Sequence, residues 1–164
     1  MQSIPKISLA VASLGLAMLF TSTPCLRAQT SMAPAAPLPS QILTAKKVFI
    51  SNSGGGFDKV SWTGGPDRIY NEFYATVKSW GRYELVSAPG DADLVFEVNV
   101  IWTPGFAQFK LEILDPKSRI VLWTVYEPIK LNGLLKTRDK SFDDAIDKLV
   151  GDLKAITTQS AAAN

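Results

Sequence analysis

Between Leu94 and Asp115 the chain alternates with a period of two, interrupted only by turn chemistry. In LVFEVNVIWT, Leu94, Phe96, Val98, Val100 and Trp102 share one face, and Glu97, Asn99 and Thr103 take the other. Pro104-Gly105 is a turn signal. In the next run Ala107, Phe109, Leu111 and Ile113 point one way, and Gln108, Lys110 and Glu112 the other. Asp115-Pro116-Lys117-Ser118 makes the following turn. Arg119 to Glu127 is apolar on both faces, which predicts a central strand. Three strands with turn-sized links predict an antiparallel meander.

The flanking segments add two strands and two helices. Lys46 to Ser51 is rich in β-formers. A glycine-rich loop follows over 52–65, and Pro66 suits the first residue of a helix with Asp67 in its first turn. Ile69, Phe73, Val77 and Trp80 form its apolar stripe, and Gly81 ends it. Tyr83 to Ser87 is a short strand, and Pro128 to Arg138 reads as a loop. Ser141 and Asp144 have capping-box spacing. Phe142, Ala145, Ile146, Leu149, Val150, Leu153 and Ile156 then keep helical spacing to about Thr157. The order β-α-β-β-β-β-α predicts an α+β two-layer sandwich: a mixed five-stranded sheet with two helices on one face and a mostly wet opposite face. The helical crossover makes the first two strands parallel.

The first 28 residues read as a secretory signal: Lys6, a charge-free apolar run from Ile7 to Phe20, then small and polar residues up to Ala28. Fourteen residues are too few to span a bilayer, which takes about 20. Cys25 offers a rival reading as an acylation site, and Pro24 before it is a poor fit to that chemistry. Residues 29–44, rich in Ala, Pro and Ser, predict an extended tether. Residues 45–158 form a single domain and 159–164 a disordered tail.

Charge and missing residue types restrict the chemistry. The chain has 17 Lys+Arg against 15 Asp+Glu. Loss of Lys6 and Arg27 with the signal leaves 15 of each, so no nucleic-acid partner is expected. The sequence contains no His, which removes imidazole bases, Ser-His-Asp and Cys-His nucleophiles and His metal sites. Its single Cys cannot form an intramolecular disulfide or a thiolate zinc site.

The run Trp80-Gly81-Arg82-Tyr83-Glu84-Leu85-Val86, then Ala92-Asp93-Leu94-Val95, then Leu114-Asp115 through Ile120-Val121-Leu122-Trp123 precedes the terminal amphipathic helix. Over about residues 45–157 this pattern resembles a group of short exported or lipid-anchored bacterial envelope proteins of unknown function. It is similar in turn to the α/β domains of the curli-secretion lipoprotein, of the activator of penicillin-binding proteins and of the amino-terminal part of the Tol propeller protein. The resemblance implies an envelope location and brings no catalytic residue.

Each chemical constellation has a structural counterpart. Gly54-Gly55-Gly56-Phe57-Asp58-Lys59 precedes a helix but matches no phosphate-binding spacing. Asp91 and Asp93 lack the further oxygen ligands of a calcium loop, and Asp93 is expected to order the entry to strand three. Asp139, Asp143 and Asp147 share a helix face that is expected to be solvated. Glu97 and Glu112 form a carboxylate pair only if they face each other across two strands. Of the tryptophans, Trp80 and Trp102 are expected in the core. Trp62, beside Phe57 in the glycine-rich loop, is expected to be partly exposed.

The segment 130–138 sets Leu131, Leu134 and Leu135 among Lys130, Lys136 and Arg138, the composition of an interface. The expected function is therefore a non-enzymatic exported envelope domain, periplasmic or secreted, that binds a protein partner. Phe57, Trp62, Leu131, Leu134, Leu135, Lys136 and Arg138 are its contact residues. No cofactor is expected, and membrane attachment only through Cys25. The alternatives are a carboxylate-dependent glycan hydrolase and a small-ligand carrier with a pocket between helices and sheet.

Overall fold

The computed structural model describes residues 36–53 and 62–158. The signal, residues 29–35 of the expected tether, Phe57 and the tail expected at 159–164 lie outside them. The elements run α1 (Ser40–Thr44), β1 (Lys47–Asn52), α2 (Arg68–Trp80), β2 (Glu84–Leu85), β3 (Leu94–Thr103), β4 (Phe106–Leu114), β5 (Val121–Ile129) and α3 (Leu135–Thr158). The sheet order is β2-β1-β3-β4-β5. β1 is parallel to β2 and β3, and β3, β4 and β5 form the antiparallel meander. The expected mixed five-stranded α+β sheet is the observed one.

The period-two face of β3 and β4 makes the core. Phe96, Phe109, Leu111 and Ile113 are fully buried under Ile69 and Phe73 of α2 and Phe142, Ile146, Leu149 and Leu153 of α3. Phe109 meets Phe142 edge-on with centroids 4.8 Å apart, and Phe96 is met edge-on by Tyr83 at 5.5 Å. Each such side chain stabilises the fold by about 1.5–3 kcal/mol. The space between helices and sheet is thus filled with side chains. Gly81, at φ +70°, ends α2 in the left-handed conformation that favours glycine.

Four expectations need correction. β5 is an edge strand, not a central one. Its inner face buries Val125, Glu127 and Ile129, while Tyr126 on the other face is exposed. Glu127 is tolerated inside because Lys148 of α3 donates to its carboxylate. Second, α3 begins at Leu135, and the linker is only 130–134. Ser141 lies inside the helix, where its Oγ accepts from the Lys130 N–H at 2.9 Å. Third, Trp102 is 37% exposed at the strand end, and Trp80 is half-buried. Fourth, the tether does not reach residue 44. Leu38 packs on the core and Ile42 of α1 is fully buried.

The 36–44 segment is tied down by polar contacts as well. Gln41 Nε2 donates to the Asp93 carbonyl and to Asp115 Oδ1, both at 3.0 Å. Asp93 Oδ2 accepts the N–H groups of Lys46 and Lys47 at 2.9 Å each. Asp93 thus orders the entry to β3, as expected, by clamping the start of β1. Ile42→Ala should lower the free energy of unfolding by about 2–5 kcal/mol in urea titrations, as for other buried truncations. A free tether would give no change.

Candidate functional site

The topology gathers five segments at one end of the sheet. β1 leaves there at Asn52, and β3 turns into β4 through Pro104-Gly105. The chain re-enters at Trp62, α2 starts at Arg68, and the 130–134 linker leads into α3. The register Ala107↔Ile129 sets Phe106 beside the start of that linker. Trp62 connects the group, edge-on to Trp102 at 5.8 Å and tilted against Phe142 at 5.5 Å.

Arg68 fixes this end. Its side chain is only 10% exposed, and its guanidinium lies 4.4 Å from the Phe142 ring centroid. Nε donates to Glu72 at 2.5 Å, Nη2 to Asp143 at 2.5 Å, and Nη1 to Asp139 at 2.7 Å and to the Thr63 carbonyl at 3.1 Å. Asp139 in turn accepts from the Thr63 N–H at 2.9 Å and from its hydroxyl at 3.1 Å. Gly64, at φ +94°, lies against this guanidinium arm: a Cβ there would come 2.8 Å from Arg68 Cδ. One cation thus joins the re-entry segment, the first turns of α2 and the start of α3. The aspartate face expected to be solvated is partly engaged: Asp139 and Asp143 hold Arg68, while Asp143 and Asp147 are both solvent-exposed.

The charges respond to their settings. The Thr63 N–H, and then Arg68, hold the Asp139 carboxyl below its ordinary range against the opposing effect of burial. Glu72 is pushed up, chiefly by burial and further by Asp143, despite Arg68. Arg68 itself is raised, its three carboxylate partners outweighing the opposing effect of burial.

The expected contact residues divide. Phe57 lies outside the described residues. Trp62 is 3% exposed and belongs to the core, which corrects its expected exposure; Trp102, Phe142 and the main body of the domain cover it. Leu131 is half-buried and packs on the core. Leu134 is 80% exposed, Leu135 42%, and Lys136 is exposed as well. Arg138 is half-buried, with its Nε shielded from solvent. Sequence reasoning missed Phe106, 45% exposed, and Trp102 as companions of these leucines, and it missed Arg68. The signal for Arg68 was the Asp139–Asp143 spacing of four, which presents two anions to one side of a helix and calls for a cation facing it.

The remaining constellations have structural partners. Glu97 and Glu112 do face each other in register on the open sheet face. Lys110 lies 2.7 Å from Glu112 and Arg119 lies 3.7 Å from Glu97, so each carboxylate has its own cation. Among the described residues no helix is long and apolar enough to cross a membrane.

No protein-family model matches the chain. No curated protein matches it. Among solved structures, a PelC dodecamer from Paraburkholderia phytofirmans, a point variant, superposes with a TM-score of 0.45 at 14% identity, over 66% of this chain and 87% of that one. A second crystal form of the PelC dodecamer gives 0.39 at 15% identity, over 66% of this chain and 86% of that one. A Xanthomonas campestris protein of the DUF330 family gives 0.46 at 13% identity, over 80% of this chain and 93% of that one. Likeness at this level concerns the course of the backbone alone.

The charge arrangement gives a signed pH dependence. A carboxyl with a depressed folded pKa adds stability above its unfolded pKa, about 4, and loses it as pH falls through the folded value. Asp139→Asn should therefore destabilise the fold at neutral pH and flatten the acid limb of urea stability measured from neutrality down to strong acid. Glu72 has the opposite sign, so Glu72→Gln should steepen that limb. An acid limb unchanged by Asp139→Asn would contradict the assignment.

Proposed function

We infer that this protein is an exported, non-catalytic domain of the bacterial envelope that binds a protein partner through the end organised by Arg68. The observation that carries this reading is the placing of exposed apolar side chains. Of seven large exposed ones among the described residues, four lie at this end: Trp102, Phe106, Leu134 and Leu135. Exposed Lys130 and Lys136 rim them. Apolar anchors with a polar rim are the composition of a protein interface.

Rigidity supports the same reading. Arg68 and the Trp62–Phe142 contact hold the start of α3, so Leu135 is presented from an ordered helix and little ordering is left to be done on binding. The export signal read in the first 28 residues and the absence of His point to a working place outside the cytoplasm and away from imidazole chemistry. The pattern shared with exported envelope proteins agrees with that location.

The test is photo-crosslinking in living cells from position 134, with Lys78 on the exposed side of α2 as control. Position 134 should give one discrete adduct with an envelope protein. With the crosslinker kept at 134, the double variant Leu135→Asp, Lys136→Glu should abolish that adduct while leaving the melting curve nearly unchanged, since exposed substitutions usually shift stability by only about 0.5 kcal/mol. Equal adducts from 134 and 78, or an adduct that survives the double variant, would overturn the proposal.

A further inference from the structure

The other three exposed apolar side chains, Ile120, Val121 and Tyr126, belong to β5 and its entry, and β5 is the one long free edge of the described sheet. Only β4 pairs with it, and the opposite edge strand, β2, has two residues. Pro128 reveals which backbone groups face outward. It stands opposite Gln108 in the ladder yet has no N–H, so its nitrogen points away from β4. By the two-residue period, Thr124 and Tyr126 also direct N–H and C=O outward, while Trp123, Val125 and Glu127 spend theirs on β4.

Both ends of this edge are closed. The register irregularity between Ile113 and Leu114 distorts the start of β5 around Val121 and Leu122. Pro128 and the inward, buried Glu127 guard the other end. The open stretch is Trp123 to Glu127, flanked by Ile120 at 63% and Val121 at 43% exposure and carrying Tyr126 at 49%.

We propose that this edge pairs with the same edge of a second copy of the chain, antiparallel, about a two-fold axis at Val125. In that register Val125 of one copy meets Val125 of the other. Thr124 of each copy meets Tyr126 of the other as hydrogen-bonded pairs, so every outward donor of the open stretch is used. Trp123 meets Glu127, and no like charges are opposed. Pro128 falls opposite Leu122, in the stretch that is already irregular, so its missing donor interrupts nothing regular. The apolar side chains at 120, 121 and 126 of each copy lie along the shared seam. Because β2 is too short to offer a second edge, the assembly closes at two copies and does not grow into a filament.

The test uses the full chain with Cys25→Ser, so that an introduced cysteine is the only thiol. Opposed residues in a non-hydrogen-bonded antiparallel pair have Cα atoms about 4.5 Å apart, inside the disulfide range of about 4.4–6.8 Å. Val125→Cys should form a covalent dimer under mild oxidation, and the exposed control Lys78→Cys should not. Sedimentation equilibrium of the unaltered chain at about 100 μM, where even a weak complex with a micromolar Kd is populated, should give twice the chain mass. Thr124→Pro removes an outward donor without touching the β4 ladder, so it should return the monomer with its melting curve nearly intact. A monomeric unaltered chain, a dimer indifferent to Thr124→Pro, or a Val125→Cys variant that links only to a different protein would each overturn the proposal. Should Val125→Cys fail to fold, sedimentation of the unaltered chain and of Thr124→Pro still decides.

Discussion

A single guanidinium holds one end of this molecule together. Arg68 is the only cation reaching Glu72, Asp139 and Asp143 at once among the described residues, and it also donates to the Thr63 carbonyl and lies over Phe142. Hydrogen bonds to charged groups contribute about 1.5–3 kcal/mol each, but much of that offsets the loss of water around a nearly buried cation. The asymmetry matters more than the net value. Removing the cation leaves three carboxylates facing each other without a counter-charge. The start of α3, the Trp62 segment and the start of α2 would then lose their common anchor.

The two ends of the sheet are built differently. At the α1 end, exposed polar groups are mutually satisfied: Asp93 accepts the first N–H groups of β1, Asp115 accepts the Ser118 N–H and hydroxyl, and Gln41 spans both turns. Asp115 is held well below the ordinary carboxylate range, with the Ser118 hydroxyl the largest cause. At the Arg68 end one guanidinium gathers three carboxylates, and Trp102, Phe106, Leu134 and Leu135 face the solvent.

Local chemistry made much of this architecture legible. The period-two faces of β3 and β4, the Pro-Gly and Asp-Pro turns, the apolar stripe of α2 and its glycine stop all correspond to observed elements, because each is decided by neighbours within a few residues. What was not legible depends on distant partners. Trp62 is buried by Trp102 and Phe142, which lie 40 and 80 positions further along. β5 reads as two-sided and apolar because Tyr126 resembles a core residue, whereas it is exposed on the edge strand. The start of α3 is disguised by its own exposed leucines, and the 36–44 segment by prolines beside its anchors Leu38 and Ile42. Of the leucines in the 131–135 segment, Leu134 and Leu135 are exposed. Nothing local distinguished them from Leu131, which tucks inward.

The account stands on Arg68 as the organiser of the apolar end, and amide hydrogen exchange of Arg68→Met reads that directly. Protection should fall at Thr63 and across the first turns of α3, 135–143, while β3 and β4 keep their native protection. Unchanged exchange at 135–143, or a uniform loss over the whole sheet, would contradict it.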